Sequence, residues 1–172
     1  QTGDFAGIDT IVIDSVTKAE EWCAKHVIQT VRTEKGSAVA SIEGYGFGKG
    51  YVHVFEEFRG LLADLDRHYA AGRNVVLVGH ERIGKVPNPS GDDYIRYEPR
   101  LQNSDKASVM LATKEWCDHV LFVSYDVSAT EGKAKGTGTR TIYSVEAATY
   151  MAKTRTLDGT PLEYRKGDFG LW

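Results

Sequence analysis

Cysteine, proline and methionine are all scarce in this chain of 172 residues, which holds two cysteines, four prolines and two methionines. Cys23 and Cys117 form no CxxC pair and no metal-ligand spacing, which argues against a disulfide scaffold and predicts free thiols of a reducing compartment. Long apolar runs are also missing. The longest, such as Ile11-Val12-Ile13 and Val75-Val76-Leu77-Val78, fall far short of a membrane span. No basic stretch followed by an apolar one marks a signal peptide. What is present is ordinary for a globular protein: 41% hydrophobic and 26% charged residues, which argues against disorder and a collagen-like fibre. One domain over residues 1–172 is expected, large enough to bury a sizeable core. The first residue is Gln1 in place of Met, which predicts a fragment or a processed product.

Large net charge is absent too, at −3. It is unevenly spread. Residues 1–81 carry 8 basic against 12 acidic side chains, residues 82–130 carry 6 against 7, and residues 131–172 carry 7 against 5. Bulk charge therefore cannot hold this chain on nucleic acid, and any basic groove must be local and lie after residue 81.

The apolar pattern alternates between two periods. Ile8 to Asp14 is a β-branched run ending in an acid and predicts a buried strand, with Ser15 or Thr17 capping the helix after it. Trp22, Ile28 and Val31 mark that helix's apolar positions. Gly44 to Gly50 reads as a glycine-dense loop. Val54, Phe58, Leu61, Leu62, Leu65 and Tyr69 then recur at i, i+3 and i+4, which predicts a long amphipathic helix stopped by Gly72. Val75–Val78 predicts a second buried strand. Residues 82–103, punctuated by Pro87, Pro89 and Pro99, read as a loop, and Ser104 or Asp105 as the cap of a helix through Trp116. Strands are expected over 118–123, over 140–145 and around Tyr150-Met151, with a flexible Lys/Gly segment over 131–138. The order predicts α/β architecture with a mainly parallel sheet flanked by helices and an antiparallel edge.

Two strand ends carry the chemistry. Ile11-Val12-Ile13-Asp14-Ser15 is an apolar strand that delivers a carboxylate at its C-terminal end, the Walker B design, in which Asp14 reaches Mg²⁺ held on nucleotide phosphates. Ligands of open α/β sheets bind at those ends. Asp14 as a simple cap of the following helix is the competing reading. Val75-Val76-Leu77-Val78-Gly79-His80-Glu81 is a second such strand. His80 there is placed to sense a γ-phosphate or to serve as hydrogen-bonded structure, and Glu81 to polarise a water as a base.

Together these strands resemble the core of the RecA-like NTPases, most closely the RecA-like nucleotide-binding proteins of bacteriophages, whose relatives act in single-strand annealing and recombination. The resemblance implies a RecA-like P-loop NTPase core, with Asp14 in the Walker B place and His80 where RecA has the Gln of an Asn-Gln pair. Asp14, Ser15 and His80 become the nucleotide-binding set, with Mg²⁺ on Asp14. Residues 82–103 match the position of the DNA-facing loops, and Ala152-Lys153-Thr154-Arg155 resembles the Lys-x-Lys that reaches a neighbouring subunit's nucleotide. Members of that group bind phosphates with GxxxxGK[ST], and no such motif occurs here. Gly44 to Gly50 does not supply it, because only three residues separate Gly44 from Gly48-Lys49 and Gly50 stands where Ser or Thr is required. In the RecA-like order that loop precedes Asp14, so an N-terminally truncated core or a relative that lost catalysis is expected.

Arg82, Lys85, Arg96, Arg100 and Lys106 are interleaved with Tyr94 and Tyr97, a composition that suits backbone phosphates and stacked, unpaired bases. Asp92, Asp93 and Glu98 dilute it, so an ordinary loop is the alternative. Lys133, Lys135 and Arg140 form a second basic segment. The expectation from sequence is an ATP- and Mg²⁺-dependent single-stranded-DNA-binding recombination or annealing protein. It has catalytic Asp14, His80, Glu81, Lys153 and Arg155, forms a ring or filament of like subunits, and works in a bacterial host's cytoplasm without a membrane partner. A non-catalytic nucleic-acid-binding or assembly module with a RecA-like sheet is the rival.

Overall fold

The computed structural model describes residues 5–130, 133–165 and 167. Its contacts divide the chain into two compact units, Gln1–Glu81 with Pro99–Trp116, and Arg82–Glu98 with Cys117–Trp172.

In the first unit, β1 (Thr10–Asp14) lies parallel to β2 (Asn74–Val78), with Asp14 opposite Val78. Parallel pairing needs a crossover, and α1 (Val16–Thr30) and α2 (Lys49–Ala70) supply it. Ser15 caps α1, its Oγ accepting from the Lys18 amide at 3.2 Å. On α2 Val54, Phe58, Leu62 and Leu65 are buried, as is Gly50, while Leu61 of the expected stripe is half-buried and Tyr69, 63% exposed, departs from it. Burying each such side chain contributes about 1.5–3 kcal/mol. Gly72 follows with φ 81°, and its amide donates to the Tyr69 carbonyl. Trp22 departs from the expected apolar face of α1. The helix buries Val16 and Val27, and Trp22 stands off that stripe, largely exposed.

The glycine-dense stretch is partly ordered, because Ile42–Tyr45 form a 3-10 turn whose Tyr45 Oη donates to the carbonyls of Val27 and Val31. Gly50 serves packing here: a Cβ on it would lie 2.2 Å from the Ile42 carbonyl oxygen. Two-residue strands β5 (Asn103–Ser104) and β6 (Ala107–Ser108) pair before α3 (Val109–Trp116). Ser108 rather than Ser104 or Asp105 caps that helix, its Oγ accepting from the Leu111 amide at 3.0 Å.

The second unit overturns the loop expected over 82–103. β3 (Glu81–Val86) and β4 (Tyr94–Pro99) pair there. The prolines that suggested a loop sit where strands tolerate them: Pro87 and Pro89 in the connection, Pro99 at the strand's last residue. β7 (Phe122–Thr130), β8 (Lys133–Tyr143) and β9 (Leu162–Arg165) make an antiparallel sheet, so the segment read as flexible enters a strand. Tyr150 makes isolated bridges to Tyr97 and Ala147, and Lys153 makes one to Val120.

The parallel sheet is thus a single pair among the described residues, and the remaining sheets are small and separate. The described residues form a mixed α/β chain with three α-helices. Its parallel pair has a further peculiarity. Residues 11, 13, 75 and 77 are half-buried, whereas Val12 is 57% and Val76 45% exposed. Parallel sheets are ordinarily covered on both faces; this one is covered on one.

Candidate nucleotide site

Asp14 and His80 are brought together by the sheet. β1 and β2 run in the same direction and in register, so both end at one edge, Asp14 opposite Val78 with His80 two residues on. Asp14 is exposed and Ser15 buried, and the peptide between them is cis. Thr17, in the first turn of α1, is also buried, and its Oγ1 accepts from the His80 amide at 3.3 Å. The His80 carbonyl in turn accepts from the Arg100 amide at 2.8 Å. The segment after β2 is therefore tied on one side to the helix that follows Asp14 and on the other to residue 100. Sequence reasoning missed Thr17 as anything but a cap. Its signal was its place in the first turn of a helix that starts at the strand end.

The side chains suit part of a nucleotide site. Asp14 presents a hard oxygen ligand at a rigid strand end, which fits Mg²⁺. Among the described residues no group of three or more His, Cys, Asp or Glu is arranged to hold a metal, so the ion would draw its other ligands from phosphate and water. A phosphate cradle of the GxxxxGK[ST] kind is not found in these 172 residues. Glu81, exposed at the start of β3, follows His80 directly. A groove of about 720 Å³ opens between α1 and α2, lined by Trp22, Cys23, His26, Glu57 and Leu61 together with Ile13. By strand alternation Ile13 and Asp14 lie on opposite faces.

Lys153 and Arg155 belong to the second unit. Lys153 Nζ donates to the Cys117 carbonyl at 2.7 Å, and Arg155 pairs with Asp118. Burial pushes the Cys117 thiol up, and the positive charge of Lys153 opposes that shift.

The basic residues proposed for nucleic acid are mostly committed to carboxylates. Arg82 donates through Nε and Nη2 to Glu98 Oε1, at 3.1 and 2.6 Å. Arg96, its side chain only 12% exposed, lies between Glu98 and Glu146. Lys85 pairs with Asp93 at 2.8 Å, and this bond together with the Asn88 amide holds the Asp93 carboxyl below its usual range. Tyr97 stacks on Phe122 at 5.4 Å, while Tyr94 is half-buried. Arg100 and Lys106 are exposed and belong to the first unit. The side chains of Lys133 and Lys135 lie outside those described.

No helix among the described residues is long and apolar enough to cross a membrane. No curated protein and no solved structure matches the chain. A family model described as an AAA domain matches residues 2–156. A carboxylate at the end of an apolar strand, beside a second strand end in parallel register, is in keeping with that match. With nearly its whole length covered, the chain belongs to the AAA-domain family, a family of the P-loop NTPase type.

Proposed function

We propose that this chain is the Walker B part of a RecA-like ATPase core that acts on single-stranded DNA in recombination or annealing. ATP and Mg²⁺ bind at Asp14, Ser15 and His80, with the phosphate-binding loop supplied from outside these 172 residues. The observation that carries this reading is the juxtaposition of Asp14 with the His80 segment at the carboxyl ends of two parallel strands. The bare apolar face at Val12 and Val76 supports it, since a further strand and helix of such a core would cover what is exposed. When bound, Mg²⁺ supplies charge neutralisation on the phosphates. Asp14 would hold it, and Glu81 would take a proton from the attacking water. The Thr17 contact couples phosphate state at His80 to the segment beyond. Lys153 and Arg155 act on the nucleotide of an adjacent subunit in a ring or filament, exchanging Cys117 and Asp118 for phosphate oxygens.

The test is ATP turnover by the protein with its phosphate-binding loop in place, with and without single-stranded DNA at fixed low salt. DNA-stimulated turnover that Asp14→Ala abolishes, with thermal stability unchanged, is the expected result. Turnover that survives Asp14→Ala removes the Walker B assignment. DNA binding with no turnover favours the non-catalytic module, a reading favoured by the missing GxxxxGK[ST].

A further inference from the structure

The sheet β7–β8–β9 has two unlike faces. On one, Phe122 stacks against Tyr97 and Tyr150, and the Asp126 carboxylate accepts from the hydroxyls of Thr139 and Thr141 at 2.6 and 2.8 Å. On the other, Val123, Tyr125 and Val127 follow one another along β7 and are 49%, 65% and 62% exposed. The register sets Ile142 opposite Val123 and Arg140 opposite Tyr125. On β9 it sets Tyr164 opposite Arg140 and Leu162 opposite Ile142.

A solvated face of an antiparallel sheet is normally polar. This one presents the exposed Tyr125 and the half-buried Tyr164 with a half-buried arginine between them, aliphatic neighbours, and no acidic residue among the seven just named. The Arg140 guanidinium lies 4.3 Å from the Tyr125 ring centroid, and Nη2 donates to Tyr125 Oη at 2.9 Å. A cation is thereby held over an exposed ring. Tyr125 and Tyr164 stand two strand spacings apart, about 10 Å, with Arg140 between them.

We propose that this face is a binding platform for single-stranded nucleic acid, with unpaired bases stacked on Tyr125 and Tyr164 and Arg140 meeting the backbone between them. The proposal deepens the DNA reading above and rests on it. It moves the contact away from Arg82, Lys85 and Arg96, whose charges are already met by Glu98, Asp93 and Glu146. Aromatic side chains on an open sheet, with arginine beside them, bind unpaired bases with little sequence preference, because every base offers a π face. Duplex DNA hides those faces and is excluded as the ligand.

The test is the affinity of the chain for a thymidine homopolymer, by fluorescence anisotropy at fixed low salt. The pair Tyr125→Leu and Tyr164→Leu keeps apolar bulk and removes the rings, and is expected to weaken binding about ten-fold or more. Arg140→Ala is expected to lower the salt-dependence slope by about 0.7. The comparison variant is Lys85→Ala with Arg100→Ala and Lys106→Ala, expected to bind as the unaltered chain does. Thermal melting checks that each variant folds. Should the leucine pair melt early, photocrosslinking of the unaltered chain to an iodouracil-substituted strand replaces it, with adducts expected at Tyr125 or Tyr164. Full affinity in a folded leucine pair, or adducts confined to residues 82–106, overturns the platform and leaves the DNA reading standing. Equal affinity for duplex overturns stacking as the mode. No binding by the unaltered chain at low salt overturns both.

Discussion

Thr17 Oγ1 accepts from the His80 amide at 3.3 Å, and so joins the helix that leaves Asp14 to the segment that leaves β2. Thr17 is buried and His80 exposed, so the bond is partly shielded from water. Thr17→Val keeps the shape and removes the acceptor, leaving a backbone donor unmet. The expected loss is about 1–2 kcal/mol of stability, with faster amide exchange at His80, while Thr17→Ser restores both. Unchanged exchange at His80 in the valine variant would show that Thr17 does not hold that segment.

Glu98 is buried between two arginines, and Gly84 exists to make room for it. A Cβ on Gly84 would stand 2.1 Å from Glu98 Oε1. Gly84→Ala is expected to cost about 1–3 kcal/mol by overpacking. Glu98→Ala removes the carboxylate that Arg82 and Arg96 share; Arg96 keeps Glu146 and the Arg82 side chain is 38% exposed, so the expected cost is about 1–3 kcal/mol. Chemical denaturation reads both. A Glu98→Ala chain as stable as the parent would mean the arginines find other partners.

The two thiols should be slow to react. Burial, then the carboxylates of Glu57 and Glu20, push the Cys23 thiol up to about 11, and burial likewise raises Cys117. At pH 8 only about one Cys23 in a thousand is thiolate, so alkylation should be far slower folded than unfolded. The sign for stability follows. A raised folded pKa favours the folded state below the ordinary thiol value, about 8.5, and that contribution is lost as pH rises from there through about 11. Iodoacetamide kinetics against pH measure the raised thiol titration, and rapid labelling at neutral pH would contradict the partial burial of both thiols.

Acid should loosen the β3–β4 connection. The Asp93 carboxyl is held below its usual range by Lys85 first and the Asn88 amide second. A depressed folded pKa stabilises the fold above the unfolded value, about 3.9, and that contribution is lost as pH falls through the lower folded value. Carbon-detected titration of Asp93 should show the depressed midpoint, and Asp93→Asn should shift it out of the acid unfolding profile. A midpoint at the ordinary aspartate value would remove the Lys85 contact from solution.

Local pattern determined much of this protein. The stripe Val54, Phe58, Leu62, Leu65, the stop at Gly72, the Ser15 cap and the strands ending at Asp14 and Val78 are all readable because each is set within a turn or two by periodicity and backbone sterics. What pattern could not supply was partnership. Residues 82–103 look like loop until β3 and β4 find each other, since strand formation depends on a mate rather than on the segment itself. Arg82, Lys85 and Arg96 read as a basic patch until folding sets Glu98, Asp93 and Glu146 against them. Only the register of β7, β8 and β9 aligns Tyr125, Arg140 and Tyr164, which are 15 and 24 residues apart in sequence. Local sterics are written residue by residue; a pairing between distant strands is a choice among many possible mates, and the three-dimensional structure makes it.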